Sequence, residues 1–197
     1  CLTHNRLSII DLSNKARQPM SKYDSRYWIS FNGEIYNYRE IKEELQKKGE
    51  QFFSDSDTEV ILASYKVWGV KCFEKFIGMW SIALFDRIEN SLILCRDRLG
   101  VKPLYYSQEK NEVIFGSEPK VILSYSKEYS SLNSQSLSDY FSYRFPLGNK
   151  SFYKNIHSIS PGTFIKFSKE GFIKNEYWKL PIEADKEDVG EEKILSD

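Results

Sequence analysis

Cysteine is scarce in this chain: three residues in 197, Cys1, Cys72 and Cys95. The count is odd and no two stand at Cys-x-x-Cys spacing, so neither a disulfide framework nor a zinc site is supported. That usage fits a reducing cytoplasm. Cys95, inside Leu92–Cys95, reads as a small buried hydrophobe, and Cys72 as structural. Histidine occurs twice, and no metal site is expected. No apolar run approaches the ~20 residues of a membrane helix, so no membrane association is expected. A basic-then-apolar leader is also missing. Net charge is zero with Lys and Arg scattered, which argues against nucleic acid as the main partner. There are no internal repeats. Methionine does not open the chain and periodic sequence starts at once, as expected of a piece of a longer polypeptide.

What is present is enough for one real hydrophobic core: 41% apolar residues, with thirteen Tyr, thirteen Phe and four Trp. Most of these aromatics fall at strand-like spacing and read as core rather than as stacking platforms for bases. Leu7–Ile10 and Tyr27–Phe31 read as strands, the second stopping at Asn32. Asn37–Lys48 reads as a helix with Ile41 and Leu45 inward and i,i+4 pairs Glu43/Lys47 and Glu44/Lys48, ended by Gly49. Ser56-Asp57-Thr58-Glu59 fits a capping box opening a second helix, which Gly69 ends. Hairpin patterns follow at Met79–Phe85/Ser91–Arg96, Leu104–Ser107/Val113–Gly116 and Thr163–Phe167/Phe172–Trp178, with a short helix at Ser134–Tyr143. Hairpins segregated from helices imply an α+β fold. The folded domain is expected over 1–181. Residues 182–197 carry seven acidic and two basic side chains and no aromatics, and read as an acidic linker.

Four groups carry chemistry. Arg6 leads Arg6-Leu7-Ser8-Ile9-Ile10-Asp11; Asn32-Gly33-Glu34 follows a strand; Asp57 stands at a helix mouth; Arg96–Tyr106 joins two β-runs. A free α-amino acid needs a planar cation for its carboxylate and acids for its ammonium. Arg6, Glu34 and Asp57 are candidates. An amide under attack needs donors at its oxygen, which the Asn32 side chain and the Gly33 N–H can offer. One ligand, glutamine, would use all of them. Each residue also has a plain reading: Asn32-Gly33 as a turn, Arg6 as a surface strand residue, Glu34 as a solvated turn residue, Asp57 as a carboxylate facing the helix dipole.

Arg6–Asp11, Gln18-Pro19-Met20, Phe31–Tyr38, Ser56–Ile61 and Arg96–Tyr106, in this order, resemble the glutaminase domain of the asparagine synthetase family. That domain is a class II glutamine amidotransferase. The resemblance covers about residues 2–181 and implies a four-layer αββα sandwich of the N-terminal-nucleophile hydrolase type, here lacking its first strand. Two ladders would then be left with unpaired edges.

It further implies hydrolysis of L-glutamine to glutamate and ammonia. Arg6 would hold the substrate carboxylate, Asn32 and Gly33 would form the oxyanion hole, and Glu34 and Asp57 would take the ammonium. Main-chain groups of Leu7 and Ile9 would line the same pocket. Ammonia would pass to an ATP-activated acid, by analogy aspartate, on a synthetase domain beyond residue 197. With no Ser-Gly-Gly-x-Asp-Ser loop present, ATP and Mg²⁺ are expected there and no cofactor here. A homodimer is one assembly the resemblance allows. The alternatives are an amidotransferase with a sugar or peptide acceptor, and a non-catalytic amino-acid-binding domain. The Arg96–Lys102 loop reads either as a charged hairpin connection with internal ion pairs or as a contact for the second domain.

The family's nucleophile is an N-terminal Cys followed by Gly-Ile, with its own amine as base. Cys1 is not expected to fill that role. It precedes Arg6 by five residues, about 17 Å along an extended segment and on the opposite face. The chain by itself is therefore expected to lack glutaminase activity. His4 matches the family's His before the Arg motif and reads as a structural hydrogen-bonding residue; His157 reads as surface or packing.

Overall fold

The computed structural model describes residues 2–4, 14–109, 112–125 and 127–181. The expected strand at Leu7–Ile10, the candidates Arg6, Leu7 and Ile9, the Cys1 assignment and the 182–197 linker lie outside the described residues.

β1 (Met20–Lys22) and β2 (Tyr27–Ile35) form an antiparallel pair. The helices α1 (Tyr38–Lys47), α2 (Asp57–Trp68) and α3 (Cys72–Lys75) follow. The hairpin β3 (Gly78–Asp86)/β4 (Ser91–Arg96) comes next, then the hairpin β5 (Tyr105–Glu109)/β6 (Glu112–Gly116). After α4 (Pro119–Tyr125) and α5 (Ser134–Tyr143), the short β7 (His157–Ser158) and the hairpin β8 (Thr163–Ser168)/β9 (Gly171–Glu176) complete the domain. One sheet runs β1-β2-β3-β4-β8-β9 and the other β6-β5-β7. Every pairing is antiparallel.

Strand alternation sorts the interior into three apolar layers. Ile29, Phe31, Trp80, Ile82, Ile93 and Cys95 face α1, α2 and α3. From the opposite side of the same sheet, Ala83, Leu94 and Ile165 meet Tyr106, Val113 and Phe115 of the second sheet. Tyr105 and Ile114, one residue out of phase, pack outward with Ile122 of α4. Helices, sheet, sheet and helix are thus stacked in four layers, as the family resemblance implies.

Several local expectations are corrected. β2 does not stop at Phe31: it stays paired with β3 through Asn32↔Ser81, Gly33↔Trp80 and Glu34↔Met79 to Ile35↔Gly78. The reason is the inward alternation Tyr27, Ile29, Phe31, which resumes at the buried Ile35, so Asn32-Gly33 is strand and not turn. The capping box forms by half. The Ser56 hydroxyl accepts from Thr58 N at 3.2 Å, but the Ser56 N–H donates to the Ser54 hydroxyl. The Glu59 carboxylate is taken instead by Ser54 N, Phe53 N and the Lys22 ammonium. Glu44 pairs across to Lys75 of α3 rather than along its own helix. β9 ends at Glu176, because the N–H groups of Tyr177 and Trp178 both turn to the Gly162 carbonyl. β1, β7 and α4 are additions that periodicity did not reveal; they are too short to repeat a pattern.

Candidate active site

Asn32, Gly33 and Glu34 occupy the last turn-ward residues of β2, and Asp57 is the first residue of α2. Ser56 holds the extended conformation of an N-cap (φ −81°, ψ 138°), which starts the helix and turns Asp57 toward the sheet. There the Ile35 N–H donates to Asp57 Oδ2 at 3.1 Å. That bond joins the end of the strand carrying Asn32, Gly33 and Glu34 to an acid 22 positions later in the chain.

Asp57 is only 5% exposed. Burial pushes its carboxyl up; the N–H groups of Ile35 and Thr58 pull it down, the Glu34 charge raises it again, and the net direction is upward. Two acids thus repel one another across a partly dry site, and neither has an ion-pair partner among the described residues. Such a pair attracts a cation. Glu34 also lines an open groove with Tyr38, Arg39, Lys42, Glu43 and Asp55, so this acid is approachable from solvent, whereas Asp57 lies buried behind it.

Asn32 Nδ2 lies 3.4 Å from the hydroxyl of Ser117, which follows β6 in the other sheet. The amide has two hydrogens, so a second donor direction stays available. Gly33 has φ +151°, and a Cβ there would sit 2.1 Å from the Met79 carbonyl oxygen and 2.6 Å from Trp80 Cα. Across the ladder, a Cβ on Gly78 would meet the Glu34 carbonyl oxygen at 2.1 Å. The two strands therefore approach more closely here than any side chain permits. Asp97 braces the same place from behind: its buried carboxylate accepts from the N–H groups of Trp80, Leu99, Val101 and Lys102. The neighbouring Arg96 donates to the carbonyls of Gly100, Lys102 and Ile159. The charges of Arg96 and Asp97 serve main-chain groups, and not the internal ion pairs that one of the two readings of this loop expected.

Cys72 and Cys95 are fully buried on the helix side of the large sheet, and burial pushes both thiols up. Neither can act as a nucleophile. The N-terminal residues do run past the site: His4 Nδ1 is 3.2 Å from the Ser30 hydroxyl, and Ser30 is two residues from Asn32 on the same strand face. Among the described residues no group of three or more His, Cys, Asp or Glu is placed to hold a metal. No helix among them is long and apolar enough to cross a membrane. Ser117 and Gln18 are the neighbours that motif reading missed as site residues. Gln18 was visible within Gln18-Pro19-Met20, but nothing local to it says what it touches.

The sequence profile of the glutamine amidotransferase domain matches residues 1–178. The chain is 38% identical over 186 residues to asparagine synthetase (glutamine-hydrolysing) 3 of Bacillus subtilis, covering 91% of this chain and 30% of that protein. It is 37% identical to putative asparagine synthetase (glutamine-hydrolysing) 2 of Methanocaldococcus jannaschii, covering 91% and 38%. The chain thus spans about a third of the length of the curated relatives it matches. Among solved structures, glutamine phosphoribosylpyrophosphate amidotransferase from B. subtilis superposes with a TM-score of 0.63 at 18% identity, over 90% of this chain and 34% of that one. That likeness concerns the fold alone, the four-layer sandwich described above. With a profile match along nearly its whole length, the chain belongs to the class II glutamine amidotransferase domain family.

Proposed function

We propose that, within the full-length protein, this domain binds L-glutamine and hydrolyses its side-chain amide, releasing glutamate and ammonia. The observation that carries the proposal is the Ile35 N–H to Asp57 bond, which sets a pair of acids beside Asn32 and Gly33. In this scheme Glu34 and Asp57 hold the substrate ammonium, and Arg6, with main-chain groups of Leu7 and Ile9, takes its carboxylate. The attacking thiol is the N-terminal cysteine of the full-length protein and not Cys1, since the spacing of Cys1 from Arg6 does not let the two share one glutamine, and Cys72 and Cys95 are buried. Its sulfur adds to the amide carbon, and the negative charge that forms on oxygen is met by the Asn32 amide and the Gly33 N–H. Collapse expels ammonia, which takes the thiol's proton by way of the terminal amine. Water then cleaves the thioester to glutamate and regenerates the thiol. An amine of ordinary pKa, about 7.7–8.0, is suited to that exchange.

In the full-length protein the ammonia is delivered to a carboxylate, that of aspartate, activated with ATP and Mg²⁺ on a synthetase domain. The relatives' names and their greater length support that assignment. Glutamate release from glutamine by the full-length protein tests it. Asn32→Ala should lower kcat by about 10²-fold or more with a nearly unchanged KM. A defect confined to KM would refute the oxyanion assignment.

A further inference from the structure

Gln18 touches no candidate substrate-binding group, yet it holds the two halves of the site in register. Its Oε1 accepts from the Phe31 N–H at 2.6 Å, and its Nε2 donates to the Phe31 carbonyl at 3.1 Å. A side-chain amide presents one acceptor and one donor in the same plane, as a peptide group does. Here it pairs with β2 as a neighbouring strand would. β1 pairs with β2 only from Tyr27 to Ile29, so this amide takes over where the ladder ends. The same Nε2 lies 3.3 Å from the Thr58 hydroxyl.

The sequence positions give the contact its meaning. Phe31 immediately precedes Asn32, and Thr58 immediately follows Asp57. A second polar tie between β2 and α2, beside their apolar packing, is the Ile35 N–H on Asp57. Gln18 anchors the strand just before Asn32-Gly33-Glu34, and Ile35 anchors it just after. Between the two anchors, the distance from the oxyanion donors to the acids cannot change without breaking a half-buried hydrogen bond.

We infer that Gln18 is a positioning residue: its amide, paired with Phe31 and Thr58, sets the spacing between the Asn32/Gly33 donors and Asp57. The inference rests on the glutamine reading of the site. An amide displaced by about 1 Å is enough to cost up to about 10²-fold in rate. Two variants of the full-length protein separate positioning from plain sheet stability. Gln18→Glu keeps the acceptor for Phe31 N but turns an oxygen toward the Phe31 carbonyl and the Thr58 hydroxyl. It should lower kcat for glutamate release about tenfold or more. Thr58→Val removes only the link to α2, and should raise KM for glutamine about threefold to tenfold while kcat stays within twofold.

A purely structural role would lower the unfolding temperature and the active fraction with KM unmoved. That result, or wild-type kcat and KM in both variants of an active protein, overturns the positioning role alone. A wild-type protein that releases no glutamate from glutamine sinks the glutamine reading and this inference with it. Should Gln18→Glu fail to fold, Thr58→Val decides: an unchanged KM overturns the inference.

Discussion

A carboxylate as deeply set as that of Asp57 loses hydration and regains part of it from the N–H groups of Ile35 and Thr58, while Glu34 adds repulsion. Because its folded pKa is raised, the native state binds this proton more tightly than the unfolded chain does. Asp57 therefore supports folding at acid pH, and that support is lost as pH rises through its folded pKa. Asp57→Asn should raise the unfolding temperature at pH 7, with the gain shrinking as pH falls toward 4. The same variant should raise KM for glutamine tenfold or more, since a hydrogen bond to a charged group is worth about 1.5–3 kcal/mol. Thermal scans at the two pH values, beside glutaminase kinetics, check both halves. A fall in unfolding temperature at pH 7 would contradict the sign. Asn32, Glu34 and Asp57 could be picked out as residue types because amides and acids in such a run have few uses. The roles of Ser117 and Gln18 could not, since a serine or glutamine acquires one only from what lies opposite it.

Among the elements, the start of α2 and the β1–β2 corner depend on a buried clasp. Glu59 is fully enclosed and receives Ser54 N, Phe53 N and the Lys22 ammonium, which stands 2.6 Å away and itself lies over the Phe52 ring. Nearby, the Tyr23 hydroxyl and Lys66 both bond to Glu50. Lys22→Met should leave Glu59 charged and without its cation, destabilising the domain by about 3–5 kcal/mol. Adding Glu59→Met should recover much of that loss, and denaturant midpoints of the single and double variants measure it. An undiminished loss in the double variant would mean the clasp acts through its main-chain bonds alone. Both helices that frame the site were legible to within a residue or two. Their apolar stripe, Ser56 as N-cap and Gly49 and Gly69 as stops are local signals. Glu59 was placed in a capping box because the motif is defined over four residues. The loop that passes close to it, 53–54, offered more donors than Ser56 did.

At the scale of the molecule, Phe73 is a residue shared between layers. It is fully buried in α3, with ring centroids 6.3 Å from Phe76, 5.7 Å from Phe164 of β8 and 5.9 Å from Tyr177. It ties the helical layer to the sheet and to the segment that leaves β9. Phe73→Ala should cost about 3–5 kcal/mol. Calorimetry on the full-length protein should show the transition that accompanies glutaminase loss moving down, and an unmoved transition would rule out that tie.

Strand and helix periods, turn residues and the chemical types in the five motifs are written into neighbouring positions, so the α+β layering and most candidate groups could be read before any coordinates. Period-2 alternation repeats through Tyr27–Ile35 whatever it packs against. Convergence is another matter. Asp57 meets Ile35, Gln18 meets Phe31, and Asn32 reaches Ser117, over 22, 13 and 85 positions of sequence. Each of these meetings exists because two sheets close on one another and a helix starts against a strand's end. Pairing across such distances follows from global packing, and no local pattern encodes it.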